Sequence, residues 1–148
     1  MKYVDTAKYI SMLKEVVEEG HEASMLISGS SMAPFLCHQR DTIVFVQPNR
    51  ELRVGDIVFY RRPGGQYVVH RICRVCGDSY DIIGDHQTEI EHGVPREQIF
   101  GLVTRVKRKG KWLRPGDFWW EFFARLWVRM IPLRPTAVRL YGVFGKGR

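Results

Sequence analysis

The spacing of hydrophobic residues changes near residue 24 and divides the chain into a helical beginning and a β-rich remainder. Four hydrophobic residues between positions 5 and 19 fall on one face of a helix: Ile10, Leu13, Val16 and Val17. This period predicts an amphipathic helix. Asp5 can cap its start and Gly20 can end it. The first 23 residues are therefore expected to form an N-terminal helical segment.

Short runs rich in β-branched and aromatic residues then follow one another, separated by turn residues. They are MLIS, TIVFVQ, DIVFYRR, QYVVHRICRV, YDIIG and QIFGLVTRVKR. Such runs are typical of strands. Pro63-Gly64-Gly65 and Gly77-Asp78 lie between consecutive runs, which predicts two hairpins. The pattern predicts a mainly β domain over residues 24–112.

The remaining residues, 113–148, have a different pattern. Asp117 can cap a helix of sequence FWWEFFARLWVRMI, which Pro132 would stop. Its three polar residues, Glu121, Arg125 and Arg129, recur every four positions and form one stripe. A helix this short cannot span a bilayer, but it can lie in the interface with its arginines toward headgroups. The alternative is that it packs on the β domain or on a second subunit.

Charge reinforces this division of the chain. The 148 residues fit one domain and carry a net charge of +7. Residues 1–104 contain 11 Lys/Arg and 14 Asp/Glu, whereas residues 105–148 contain 12 Lys/Arg and 2 Asp/Glu. This asymmetry indicates an anionic partner for the tail, either lipid headgroups or nucleic acid, or else a solvated basic terminus. The candidate partner is an anionic membrane surface bound through residues 117–148, and no nucleic acid is expected.

The sequence predicts a cytoplasmic protein that uses no cofactor and no metal. It shows no export signal and no apolar run of membrane-spanning length, so a peripheral position on the inner membrane surface is the candidate location. Cys37, Cys73 and Cys76 form an odd set, which favours reduced thiols. The C-x-x-C pair has no second pair beside it, and the histidines lack spacing such as H-E-x-x-H.

The segment Ser28-Gly29-Ser30-Ser31-Met32-Ala33-Pro34 is the first candidate for chemistry. A serine hydroxyl needs a base that takes its proton and donors that stabilise the oxyanion. A serine on a tight turn after a strand is exposed and is surrounded by free N–H groups. Taken alone, a turn rich in serine and glycine is usually only a turn.

His70 is the second candidate because it interrupts the hydrophobic strand Tyr67–Ile72. Its ordinary pKa of about 6.5 suits a general base, although a lone histidine in a strand is more often structural. Arg71 beside it is interpreted as a substrate-binding residue or as a solvated strand arginine. Gly84-Asp85-His86, with Glu89 and Glu91 downstream, supplies carboxylates that could orient the histidine.

Taken in order, these segments resemble the signal peptidase I family and its relatives, the self-cleaving LexA-type repressors. The resemblance covers residues 27–103 and rests on six parts in sequence. They are SGSSMAP, Arg40-Asp41 before TIVFV, VGDIVFY, VVHRI, IIGDH and EQIFGLV. It implies a signal-peptidase-like β-fold, to which the hydrophobic pattern adds the N-terminal helix and the C-terminal amphipathic helix. It also implies a serine endopeptidase that cleaves a peptide bond in another polypeptide, with a leader or signal peptide as the candidate substrate. VVHRI resembles the endoplasmic-reticulum and archaeal branch, in which the base is histidine.

The resemblance assigns the nucleophile to Ser31 and the general base to His70. It implies an acyl-enzyme and an extended polypeptide substrate paired to a strand edge. Gly84-Asp85-His86-Gln87 replaces the family's G-D-N-x motif, so Asp85 is expected to be a structural or orienting residue. The family's later aspartate falls near Glu91, the candidate third catalytic residue.

The chain departs from the family pattern at several points, and alternatives remain open there. The spacing S-G-x-S-M is that of the LexA type, which leaves Ser30 as a rival nucleophile. The Ser31 N–H is the expected oxyanion donor, with the hydroxyl of Ser28 or Ser30 as a possible helper. Unlike those relatives, the chain is expected to have neither a membrane anchor nor a DNA-binding helix-turn-helix. The alternative function is a catalytically idle module that binds a membrane or a partner.

Overall fold

The computed structural model describes residues 3–131, with side chains from residue 7 onward. Helix α1 spans Tyr3–Glu18. Eight strands follow: β1 Ala23–Leu26, β2 Thr42–Val46, β3 Ile57–Arg61, β4 Tyr67–Cys76, β5 Ser79–Ile83, β6 Glu91–Pro95, β7 Ile99–Arg108 and β8 Lys111–Leu113. A short 3₁₀ turn, Arg96–Gln98, precedes β7. The C-terminal helical segment, residues 118–129, is α-helical over Phe118–Glu121, π-helical over Phe122–Leu126 and 3₁₀ over Trp127–Arg129.

All eight strands belong to one antiparallel sheet, which confirms the mainly β fold with a helix near each end. The strand order is β1-β2-β7-β3-β4-β5-β6, and β8 pairs with β7. The two expected hairpins, β3–β4 and β4–β5, are present. Strands β6 and β8 were not predicted. In β6 only Val94 is fully buried, and β8 has just three residues, so neither gives the alternating hydrophobic pattern of a half-buried strand.

The sheet buries side chains on both faces, as the alternation along β3 shows. Ile57 and Phe59 join one hydrophobic cluster, together with α1, the loop after Ser31 and the C-terminal helical segment. Val58 and Tyr60 point the other way into a second cluster, which is formed by the sheet and by Leu52. Because successive side chains of a strand face opposite sides, neighbouring residues of β4 also serve different clusters. This alternation determines where His70 and Arg71 lie.

The inward face of the C-terminal helical segment packs on the β domain. Trp120, Phe123 and Trp127 are buried in the first cluster. The backbone of the loop before β3 comes close to the segment, since a Cβ on Gly55 would lie 2.7 Å from the Ala124 carbonyl oxygen. This part of the tail is thus built into the fold. Residues 132–148, the remainder of the predicted tail, lie outside the described residues.

Two phenylalanines of this segment provide a test of that packing. The Phe123 ring is 2% exposed, and its centroid lies 4.8 Å from that of Phe35, whereas Phe118 is 72% exposed. We expect Phe123→Ala to lower the free energy of unfolding by about 3–5 kcal/mol, because it leaves a cavity. The matched variant Phe118→Ala should change it by no more than about 0.5 kcal/mol. Urea unfolding of both variants measures this; equal effects would contradict the packing.

Candidate active site

Ser31 lies in the turn after β1 and is held there by the residues that follow it. Met32, Phe35 and Leu36 are buried at 2% exposure or less. Backbone hydrogen bonds tighten the turn: Ala33 N donates to Ser30 O at 3.1 Å, and Leu36 N to Met32 O at 2.9 Å. Ser31 itself is partly exposed. A partly exposed hydroxyl thus sits on a loop anchored by apolar side chains.

Phe35 is a fully buried residue of this loop, and two arginines lie over its ring. The guanidinium carbons of Arg71 and Arg108 are 5.3 and 5.6 Å from the ring centroid. Arg108 also donates from Nε to Phe35 O at 2.6 Å and from Nη2 to Pro34 O at 3.2 Å. Buried cation–π contacts of this kind are worth more than exposed ones. They tie the loop of Ser31 to β4 and β7.

Asp41 closes the other end of the loop. Its fully buried carboxylate accepts hydrogen bonds from Cys37 N at 2.8 Å and Lys109 N at 3.0 Å, and it pairs with Arg40. Burial raises the pKa of this carboxyl, but the bonds from Arg40, Lys109 and Cys37 outweigh that effect and lower it. Asp41 therefore stays ionised and joins the loop to the β7–β8 turn.

The backbone of Ser31 contacts the turn that follows β5. His86 N donates to Ser31 O at 2.9 Å. A Cβ on Gly84 would lie only 2.5 Å from the same oxygen, so this approach requires glycine. The Gly84-Asp85-His86-Gln87 motif thus lies directly against the candidate nucleophile's backbone.

His70 is a buried polar residue on β4, 4% exposed. Its Nδ1 lies 3.5 Å from the Tyr60 hydroxyl oxygen, which donates to Glu91 Oε1 at 2.6 Å. Glu91 also accepts from Arg62, from Nη2 at 2.9 Å and from Nε at 3.1 Å. Glu91 therefore reaches His70 through Tyr60, a residue that the sequence did not single out.

Burial is the main cause of a large pKa change at His70. Burial first and the nearby Arg62 cation second lower the pKa of the imidazole, Glu91 acts in the opposite direction, and the net result is a pKa of about 4. Burial also raises the pKa of the Glu91 carboxyl, but the hydrogen bonds from Arg62 and Tyr60 outweigh this and lower it. Near neutral pH, His70 is thus uncharged, the state that accepts a proton, and Glu91 is ionised.

His70 opens onto a cavity of about 500 Å³. The cavity is lined by Arg62, His70, Ile82, His86, Gln87, Thr88, Glu89, Ile90 and Glu91. Ser31 is not among these residues, and within residues 7–131 no hydrogen bond joins its side chain to His70. Ser31 is connected to the cavity through His86, which lines the cavity and donates a backbone hydrogen bond to Ser31.

Asp85 does not face this cavity. Both of its oxygens accept hydrogen bonds from Arg71 at 2.8 Å, and both side chains are fully buried. Arg71 also donates to Gly55 O at 2.9 Å, and the Trp127 indole donates to Asp85 O at 2.8 Å. Both interpretations of Arg71, as a substrate-binding or as a solvated residue, are therefore wrong: the guanidinium lies in the interior.

The oxyanion candidates differ in their contacts. Ser28 and Ser30 are exposed. Gly29 N already donates to His38 Nδ1 at 2.8 Å, so this amide is engaged. The Ser31 N–H makes no hydrogen bond within the described part of the chain, which leaves it available as a donor.

A comparison with known families agrees with this architecture. Residues 2–104 match the model of the Peptidase S24-like family, and the chain belongs to that family. This supports the LexA- and signal-peptidase-like resemblance at the level of the superfamily and of the peptidase fold. No curated protein matches the chain significantly, and no solved structure does so either. Among residues 3–131, no helix has the length and hydropathy needed to cross a membrane.

The buried pair predicts an asymmetry between two carboxylates that the sequence left as alternatives. Asp85→Asn removes the counter-charge of Arg71, and breaking a buried pair costs about 3–5 kcal/mol. Glu89→Gln alters an exposed side chain, and we expect a change of no more than about 0.5 kcal/mol. Chemical denaturation at pH 7 compares the two. An Asp85→Asn protein as stable as Glu89→Gln would contradict a structural role for Asp85.

The charges around His70 predict pKa changes of opposite sign. Arg62→Gln removes a cation that disfavours the imidazolium, so we expect the pKa of His70 to rise by roughly one unit. Glu91→Gln removes an anion that favours it, so the pKa should fall further. NMR titration of the His70 ring from pH 3 to 8 follows both changes. Shifts in the same direction would contradict the arrangement.

Proposed function

We propose that the protein is a serine endopeptidase with Ser31 as nucleophile and His70 as general base. The observation that carries the proposal is His70 itself. It is a buried histidine, neutral at pH 7, in the wall of a cavity whose Gly84–Gln87 turn is bonded to Ser31. Neutral imidazole is the form that accepts a proton, and strongly altered pKa values are concentrated at functional sites. Membership in a peptidase family supports the same chemistry.

The hydrogen bonds around His70 define how it would act. Tyr60 donates its proton to Glu91, so the hydroxyl oxygen that faces Nδ1 is left as an acceptor. This favours the tautomer with its proton on Nδ1 and leaves the Nε2 lone pair as the base. Glu91 would then stabilise the imidazolium through Tyr60. In other serine peptidases a carboxylate does this by contacting the histidine directly.

The reaction follows from these roles. Ser31 Oγ attacks the carbonyl carbon of the scissile peptide bond while His70 Nε2 takes the hydroxyl proton. The oxyanion accepts a hydrogen bond from the Ser31 N–H, and the hydroxyl of Ser28 or Ser30 is a candidate second donor. His70 returns the proton to the leaving amine, and water then hydrolyses the acyl-enzyme. The hydrogen bond between Ser31 and His70 must form when substrate binds, as catalytic contacts often do.

The edge of the sheet fits an extended substrate. Strand β1 pairs only with β2 within residues 3–131 and ends at Leu26, shortly before Ser31. A peptide can add to such an edge through main-chain hydrogen bonds. A leader or signal peptide, which the resemblance implies, is the substrate class that we propose.

Cleavage of a diverse peptide mixture, followed by mass spectrometry, tests the assignment. We expect Ser31→Ala and His70→Ala to lower the cleavage rate by about 10³-fold or more. Ser30→Ala is the matched control for the rival nucleophile. His86→Ala is the control for a rival base, because His86 lines the same cavity. His86→Ala should retain most of the activity, and Ser30→Ala should lose far less than Ser31→Ala, even if its hydroxyl helps to hold the oxyanion.

Two results would reject the proposal in different ways. Equal cleavage by wild-type and Ser31→Ala protein would remove Ser31 from the reaction. A wild-type protein that binds vesicles but cleaves no peptide would favour the alternative, a catalytically idle binding module on the same fold.

A further inference from the structure

The C-terminal helical segment leaves one hydrophobic face uncovered by the described residues. Phe118, Trp119 and Leu126 are 72%, 46% and 56% exposed, and Phe122 is partly exposed between them. Positions 118, 122 and 126 are four apart and therefore follow one side of the segment. We call these four residues the outward aromatic face.

The outward aromatic face is one continuous surface. Ring centroids are 5.0 Å apart for Phe118 and Trp119, 5.6 Å for Trp119 and Phe122, and 6.5 Å for Phe118 and Phe122. Only Phe122 of this face also packs against the first cluster, whose inward side is filled by Trp120, Phe123 and Trp127. A contiguous exposed apolar surface usually marks an interaction site.

The outward aromatic face belongs to a strongly basic stretch of the chain. Four exposed cations lie on the β7–β8 hairpin and just after it: Lys107, Lys109, Lys111 and Arg114. Arg129 and Arg125 are exposed on the segment itself, and Arg125 pairs with Glu121 at 2.7 Å. Trp112 on β8 is half exposed, and the guanidinium carbon of Arg105 lies 4.7 Å from its ring centroid. Residues 105–131 contain only two acidic residues, Asp117 and Glu121.

We propose that the outward aromatic face binds the surface of an anionic lipid bilayer, with the neighbouring lysines and arginines contacting headgroups. Tryptophan and phenylalanine beside cations is the composition of interfacial helices. Basic residues next to a bilayer add an electrostatic attraction to anionic lipid. Nucleic acid is less suited to this surface, because aromatic rings that contact one another and an aliphatic Leu126 offer few free ring faces for bases to stack on.

Membrane binding would place the lipid near the buried base of the loop that carries Ser31. The outward Trp119 ring lies 6.5 Å from Phe123, which in turn lies 4.8 Å from Phe35 in the loop of Ser31. One aromatic layer therefore separates the bilayer from that loop. The proposal does not depend on catalysis, since its test measures binding alone.

Co-sedimentation of the full chain with vesicles tests the proposal. The probes are phosphatidylcholine vesicles with and without phosphatidylglycerol, at low and high salt. We expect binding to the anionic vesicles that salt weakens. The triple variant Phe118→Ser, Trp119→Ser, Leu126→Ser should bind at least about tenfold more weakly. Lys109→Gln with Lys111→Gln should reduce the salt dependence.

Val75→Ser is the matched control. Val75 is an exposed apolar residue, 42% exposed, on β4, which β3 separates from β7 in the sheet, and its variant should bind as the wild type does. Unchanged binding by the triple variant would overturn the proposal, as would no binding by the wild type. Light scattering that shows a dimer lost in the triple variant would instead assign the face to self-association. RNA binding lost in that variant would assign it to nucleic acid.

Discussion

The ion pair between Arg71 and Asp85 connects β4, the loop of Ser31, the turn after β5, the loop before β3 and the C-terminal helical segment. Arg71 belongs to β4 and lies over Phe35 of the loop of Ser31; Asp85 belongs to the turn that contacts the Ser31 backbone. Arg71 also donates to the Gly55 carbonyl, and the Trp127 indole donates to the Asp85 carbonyl. Burying two charges is costly unless the geometry is good and the remaining groups are hydrogen-bonded. Here both carboxylate oxygens and all three guanidinium nitrogens of Arg71 have partners at 2.8–2.9 Å.

Strand alternation turns this interior pair into a support for His70. Neighbouring residues of β4 face opposite sides of the sheet, so Arg71 is held among the first cluster while His70 lies on the side of Tyr60. A strand fixed on one face by an ion pair holds the histidine on the other face in a defined position. This explains how a polar residue can be buried in a hydrophobic strand without direct contact with a carboxylate.

The sequence predicted the elements that carry strong hydrophobic runs, but not the contacts made between distant residues. The two hairpins and the strands around His70 followed from local patterns. Edge strand β6 did not, because it is paired and buried on one side only. Tyr60 was read as one more hydrophobic residue, since its partner Glu91 is 31 positions away. Arg71 was misassigned for a related reason: period-two alternation gives its face, but not whether that face is covered. Here the loop of Ser31 covers it.

The roles of the two acidic residues illustrate why spacing alone is insufficient for this site. Asp85 stands in the more recognisable motif, yet its charge is fully engaged by Arg71. Glu91 stands on a weak edge strand, yet its charge acts on His70. Arg62 neutralises part of that charge and, together with burial, keeps the imidazole uncharged near neutral pH. The electrostatic state of His70 is thus set first by its burial and then by the opposing charges of Arg62 and Glu91, whereas Asp85 positions the turn that contacts the Ser31 backbone.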